Sequence, residues 1–254
     1  MARLTLVATV LSLLFQLYLS GIGVFSASST IHNKCRYTVW PVILRKAGTT
    51  VPLSTTGGSL QKGKSMIISA PASWSGRLRG RTNCSEDSTG KFSCVTGDCG
   101  SGECAGGGAK PPVVTLVKIT LNGAGGYDFY GVSLVDGFNL PVQVVANAKG
   151  GTGGGNCTTT VDLNQNCPSE LKVSSDNGGE SVACKSACGA FGEPQYCCTG
   201  NFSSPSTCKP TSYSKFFKNA CPRASTYAFD QKTSTFTCAS PDYRITFCPS
   251  LAKR

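Results

Sequence analysis

The stretch Tyr127-Asp-Phe-Tyr-Gly-Val-Ser-Leu-Val-Asp-Gly-Phe-Asn-Leu-Pro-Val142 decides how the chain is read. Phe129 to Val135 is rich in aromatic and β-branched residues. Asp136-Gly137 is a dipeptide favoured where both central residues of a tight turn need positive φ, and Phe138 to Val145 is apolar again. The pattern predicts a β-hairpin. Asp136 is then either a turn former or a carboxylate facing a ligand.

Working outward, the same strand signals recur. On the amino-terminal side, Leu116 to Leu121 alternates, with Val117, Ile119 and Leu121 on one face and Leu116, Lys118 and Thr120 on the other, so Lys118 points away from the more apolar face. Further back, Arg36 to Leu44 and Met66 to Ser69 are strand-like and broken by Gly and Pro, with no helical period. Beyond the opening stretch, Gly150 to Gly155 is a flexible tract, and Thr235 to Ala239 and Tyr243 to Cys248 alternate as strands that return to the first sheet. Short helices are expected near Ser212 to Asn219 and near Val182 to Ala187. Many short strands, frequent turns and few helices predict a mainly β protein built as a sandwich with disulfide-rich excursions.

The chain begins with Arg3 and an apolar run from Leu4 to about Val24, followed by Ser26, Ala27, Ser28 and Ser29. This predicts a signal peptide over 1–26 and a mature chain from Ala27. The whole chain carries a net charge of +11, which favours acidic partners; dispersed lysines without an aromatic-basic motif argue against nucleic acid. Fifteen cysteines in a secreted chain imply a disulfide framework, and an odd count leaves one thiol over. A single histidine, His32, and the lack of repeated C-x-x-C pairs argue against a metal site, and no cofactor motif is present.

Several stretches in one order resemble the thaumatin-like, or pathogenesis-related group 5, family of plants. They are Asn33 to Trp40, Gly80 to Cys84, Cys94 to Gly100, Tyr127 to Val142, Asp162 to Pro168, Cys184 to Cys188, Tyr196 to Gly200, Tyr213 to Pro222 and Ser234 to Cys238. The resemblance spans the mature chain. It implies a flattened antiparallel β-sandwich (27–81, 120–164 and 222–254) with two disulfide-stapled subdomains, a loop subdomain over 82–119 and a disulfide-rich one with a short helix over 165–221. It also implies the bridges Cys35–Cys248, Cys84–Cys94, Cys99–Cys104, Cys157–Cys238, Cys167–Cys184, Cys188–Cys197 and Cys198–Cys208. The segment Cys157 to Asn164 looks about three residues short of the family's and lacks a cysteine that would bond Cys221, so Cys221 is expected to be the free thiol.

Members of the family carry an acidic cleft lined by one arginine, one glutamate and three aspartates. Carried over by motif, the arginine falls on Arg77, with Arg81 as second choice, and a tryptophan between them has become Arg79. The glutamate falls on Lys118, and the aspartates on Gly131, Asp136 and Asp230. Two of the four acids are replaced, one with reversed sign. Some members resemble endo-β-1,3-glucanases, and glycoside hydrolysis needs two carboxyl groups, one protonated and one ionised. Only Asp136 and Asp230 remain to form such a pair, and Lys118 would strip the proton from a neighbouring acid.

Each candidate has a plainer role: Asp136 as a turn residue, Asp230 in an Asx-turn, Arg77 and Lys118 as surface cations, and Phe129, Tyr130 and Phe138 as packing. The expectation is a secreted, monomeric, antifungal defence protein that binds fungal wall glucan, a membrane or a protein target without catalysis. The alternatives are a weak glucanase through Asp136 and Asp230, and an inhibitor of foreign hydrolases. The extracellular space (apoplast) is favoured over the vacuole because no long tail follows Cys248. Three sequons occur, at Asn83, Asn156 and Asn201, and Asn201 is the expected glycosylation site because the other two have cysteine at their centre.

Overall fold

The computed structural model describes residues 27–49, 53, 55–100, 104, 113–147, 156–157, 163–175, 179–239 and 242–249. The expected signal peptide and the Gly150 to Gly155 tract lie outside the described residues, as does the side chain of Cys157. Two sheets carry the structure. The first has five strands, in the order β3 (Ser65–Ala70), β1 (Ala27–Asn33), β14 (Tyr243–Phe247), β8 (Val142–Ala146) and β9 (Asn156–Cys157). The second runs β12 (Ala224–Ser225), β7 (Asp128–Ser133), β6 (Leu116–Thr120), β4 (Ser75–Glu86) and β2 (Val39–Arg45), with β13 (Phe236–Cys238) also pairing β7 and β5 (Phe92–Thr96) also pairing β4. A separate pair, β10 (Lys172–Ser174) and β11 (Ser181–Cys184), stands apart from both.

The core lies between the two large sheets, and period-two alternation builds it. Ile31, Ile68, Val142, Val144, Tyr243 and Ile245 from the first sheet meet Val39, Ile43, Leu78, Val117, Ile119, Tyr130 and Val132 from the second. Each of these is buried. One polar contact crosses this region: the buried Tyr243 hydroxyl donates to Asp128 Oδ2 at 2.9 Å, while Asp128 Oδ1 accepts from the Asn122 amide at 2.7 Å. Burial first, and then this hydrogen bond, hold the Tyr243 phenol far above its ordinary value.

The antiparallel expectation needs amendment, because β1 pairs β14 in parallel and β12 pairs β7 in parallel. These partners come from distant parts of the chain, so no tight turn dictates their direction. The Cys35–Cys248 bridge joins the chain just past the carboxy-terminal ends of β1 and β14, as a parallel pairing allows.

The opening stretch is not a hairpin. Strands β7 and β8 belong to different sheets, and the chain between them crosses from one to the other. A turn does form, with the Gly137 amide donating to the Leu134 carbonyl at 2.9 Å and Gly137 at φ 104°, but the following residues do not pair back onto β7. Leu134, Phe138 and Leu140 are all buried, so the segment is drawn into the core rather than along one sheet. Asn139 makes the crossing tolerable for the backbone: its amide donates to the Gly80 carbonyl and Thr96 Oγ1, both at 2.9 Å, and its carbonyl oxygen accepts from the Thr115 amide at 3.0 Å.

Among the described residues, three short α-helices lie in the cysteine-rich region: α1 (Ala187–Phe191), α2 (Pro194–Cys197) and α3 (Ser212–Ala220). The helix expected at Val182 to Ala187 instead begins at Ala187, after strand β11. Ser186 caps it, its Oγ accepting from the Gly189 amide at 3.1 Å, and Gly192 ends it in the left-handed region. Helix α3 is capped by Thr211, and its Phe217 is buried.

The disulfides join Cys35 to Cys248, Cys84 to Cys94, Cys99 to Cys104, Cys167 to Cys184, Cys188 to Cys197 and Cys198 to Cys208. These six bridges are as expected, but the expected Cys157–Cys238 bridge and the free Cys221 are overturned. Cys221 is disulfide-bonded, and Cys238 is the free, buried cysteine, so the Cys157–Cys238 bridge does not form. Strand pairing places Cys238 opposite Asp128 on β7 and keeps it closed in. Titration of the unreduced protein should find no reactive thiol in the native state and one after denaturation, abolished by Cys238→Ala. Cys221→Ala should instead raise the denatured count by one.

Candidate functional site

The outer face of the second sheet, away from the core, carries the candidate site. Antiparallel register sets Arg77 on β4 opposite Lys118 on β6, and Lys118 opposite Gly131 on β7. Three residues far apart in sequence thus form one row across the sheet. A cleft of about 540 Å³ opens above this row. Its lining includes Arg77, Lys118 and Gly131, together with Lys46 after β2, Thr120 and Phe129, and Ser225, Gln231, Ser234 and Thr235 from the carboxy-terminal segment.

Among the described residues, no carboxylate lines the cleft. Lys118 projects into it, yet loss of hydration among its neighbours lowers its amine below the usual lysine range; Arg77 adds to this and Asp136 opposes it. One register step along β4, Arg79 is 5% exposed, and its Nε and Nη2 are buried without a hydrogen-bond partner among the described residues. Burial lowers its guanidinium too, as do Arg81 and Arg77, against the opposing charges of Asp136 and Asp98. Arg81, the second choice for the cleft arginine, is 2% exposed, reaches the Cys99 sulfur at 3.9 Å and stacks 4.9 Å from the Phe92 ring centre. It does not line the cleft.

The two surviving acids are elsewhere. Asp136 sits half-buried in the turn after β7, close enough to influence Arg79 and Lys118 but outside the cleft lining. Asp230 is engaged structurally: Lys218 Nζ lies 3.0 Å from both its oxygens, and Oδ2 also accepts from the amide and hydroxyl of Thr226, each at 3.0 Å. This is a clamp on helix α3, not the Asx-turn its sequence context suggested.

Gly131 explains why the row ends without a side chain. A Cβ built there would meet the Ser234 carbonyl oxygen at 2.2 Å, because the 234–235 backbone passes directly over it. The position that would carry an aspartate by resemblance is filled by the crossing chain. Sequence reasoning missed Lys46, Gln231, Ser234 and Thr235. The only signal for the last three was their closeness to Asp230, which marked the right segment but the wrong residue. Of the aromatics, Tyr130 packs into the core, 5.2 Å from the Tyr243 ring and 5.8 Å from Phe236, while Phe129 is half-buried and faces the cleft.

These features define a disulfide-stapled, two-sheet β protein with a cationic cleft on the face of one sheet. The chain belongs to the thaumatin family, whose model matches residues 33–249. It is 50% identical over 231 residues to pathogenesis-related protein 5 of Arabidopsis thaliana, covering 91% of this chain and 93% of that one. It is 48% identical over 233 residues to a glucan endo-1,3-beta-glucosidase of Prunus avium, covering 89% and 92%. A PR5-like receptor kinase of Arabidopsis thaliana is 53% identical over 233 residues, which cover 90% of this chain but 35% of that protein. Among solved structures, a laminaripentaose-producing beta-1,3-glucanase in complex with laminaritetraose shares the fold, with a TM-score of 0.58 at 13% identity, covering 88% of this chain and 99% of that one.

Proposed function

We propose that the chain is a secreted plant defence protein that holds a cell-wall polysaccharide, β-1,3-glucan among the candidates, in the cleft over Arg77, Lys118 and Gly131 without cleaving it. The observation that carries this is a cleft of ligand size whose lining, among the described residues, has no carboxylate. Hydrolysis of a glycosidic bond requires two carboxyl groups about 5–9.5 Å apart across it, one of them protonated. Asp136 is outside the lining and Asp230 is bound to Lys218. Disulfides throughout the chain fit an oxidising, secretory destination. The similarity to a pathogenesis-related protein supports a defence role. Asn201, exposed among the short helices, is the proposed glycan attachment site.

A second reading, a weak glucanase, draws on the relative named as a glucan endo-1,3-beta-glucosidase. One sample separates the two. The protein is expected to be retained on insoluble β-1,3-glucan and to release no reducing sugar from it. Hydrolysis by the wild type that Asp136→Asn abolishes would refute the non-catalytic reading.

A further inference from the structure

We infer that the cleft selects an anionic glycan, a chain bearing uronate carboxylates, over a neutral one. This rests on the reading that the cleft binds polysaccharide. Its cations are Lys46, Arg77 and Lys118, and among the described residues no acid lines it to offset them. Arg77 and Lys118 stand directly opposite each other on adjacent antiparallel strands, where like charges destabilise a sheet. Neither has a carboxylate within ion-pair distance among the described residues. Asp136 acts on Lys118 electrostatically from outside the lining. Arg79, buried beside this pair with two guanidinium nitrogens that have no hydrogen-bond partner among the described residues, adds positive potential on the same face.

An anion seated between Arg77 and Lys118 would relieve their repulsion and complete the site. The rest of the lining narrows the class of anion. Ser75, Thr120, Ser225, Gln231 and Thr235 offer hydroxyl and amide groups that suit a polyhydroxylated chain. Phe129 adds an aromatic surface at the edge of the row. A cation row with a hydrogen-bonding rim and one ring fits a sugar acid, whose carboxylate meets the cations while its ring hydroxyls meet the rim.

The test is calorimetric titration of the mature protein with short α-linked galacturonate oligomers, β-linked glucuronate oligomers and neutral β-1,3-gluco-oligosaccharides, at fixed ionic strength. At least one uronate series should bind more tightly than the neutral one, and which series does so identifies the source of the acid. Lys118→Glu should weaken uronate binding by about tenfold or more, and Lys118→Met by several-fold. Lys215→Glu makes the same charge change on the exposed face of α3, outside the cleft. It should alter uronate affinity by less than about twofold. Thermal melts confirm that each variant is folded. Equal losses in Lys118→Glu and Lys215→Glu would mean diffuse attraction to a basic surface and would overturn the inference. Neutral binding without uronate binding would overturn it while leaving the proposed function intact. Binding of none of the three would remove both.

Discussion

Gly131→Asp is expected to destabilise the fold by roughly 3 kcal/mol or more and to bring no glucanase activity with it. The clash begins at the first added atom, since the Cβ alone would lie 2.2 Å from the Ser234 carbonyl oxygen and 3.8 Å from Thr235 Cα. These are backbone atoms of the segment leading into β13, which pairs β7 at Tyr130, Phe129 and Asp128, so they cannot swing aside as a flexible side chain would. A carboxylate would also press against a carbonyl oxygen, two acceptors with no donor between them. Gly131→Ala isolates the steric part and should already account for most of the loss. By contrast, Lys118→Glu places a carboxylate directly opposite Arg77 and replaces a like-charge pair with an opposite one. It should change stability by less than about 1 kcal/mol. Urea unfolding of the oxidised proteins provides the comparison. A midpoint for Gly131→Asp equal to that of the wild type would show that the 234–235 segment is displaceable and that the cleft can regain its missing acid.

That contrast marks what the sequence could and could not reveal about the site. The row Arg77, Lys118 and Gly131 was recoverable because each residue sits in a motif, and the motifs lie on neighbouring strands. The sign of the cleft was legible too, from a lysine where resemblance implies a glutamate. The reason for Gly131 was not. It depends on which distant backbone passes over the position, and no local pattern encodes that. The same limit misplaced Asp230, whose partner Lys218 is twelve residues away on a helix whose packing only the folded chain shows.

The fold divides along the same line. Alternation located β6, β13 and β14, because each strand has a core face and an outer face and the residues report it. The hairpin failed for an identifiable reason. A turn does form, but over Leu134–Gly137 with Val135 and Asp136 at its centre; Leu134, Phe138 and Leu140 all need burial, and pairing Phe138 to Val145 back onto β7 could not bury them all on one face. Crossing to the other sheet satisfies them together. Cysteine spacing likewise could not tell which thiol the shortened segment leaves single. The resemblance implied that Cys221 is left single, whereas the folded chain bonds Cys221 and leaves Cys238 free and buried where β13 pairs β7.

Asp230→Ala should cost about 3 kcal/mol, because it strips Lys218 of its counter-charge in a site where the two side chains are only 27% and 12% exposed. Lys218 would keep the Ala224 carbonyl at 3.0 Å and Thr233 Oγ1 at 2.8 Å, both neutral. The amide and hydroxyl of Thr226 would lose their acceptor. Combining Asp230→Ala with Lys218→Met should restore part of the loss, giving a coupling of about 1–2 kcal/mol in a double-mutant cycle. Additive losses would show that the two residues act independently. The clamp also reaches the cleft. The Asp230 carbonyl accepts from the Ser234 hydroxyl, which contacts Ser225 Oγ at 2.7 Å, and both serines line the cleft beside Gln231 and Thr235. Loosening the segment should therefore weaken glycan binding as well as stability. Asp230→Asn distinguishes this from chemistry: it keeps an acceptor for Thr226 and most of the geometry while removing the charge. If Asp230 holds the wall of the cleft in place, Asp230→Asn should retain most of the glycan affinity that Asp230→Ala loses. A reacting carboxylate would make the two variants equally inactive.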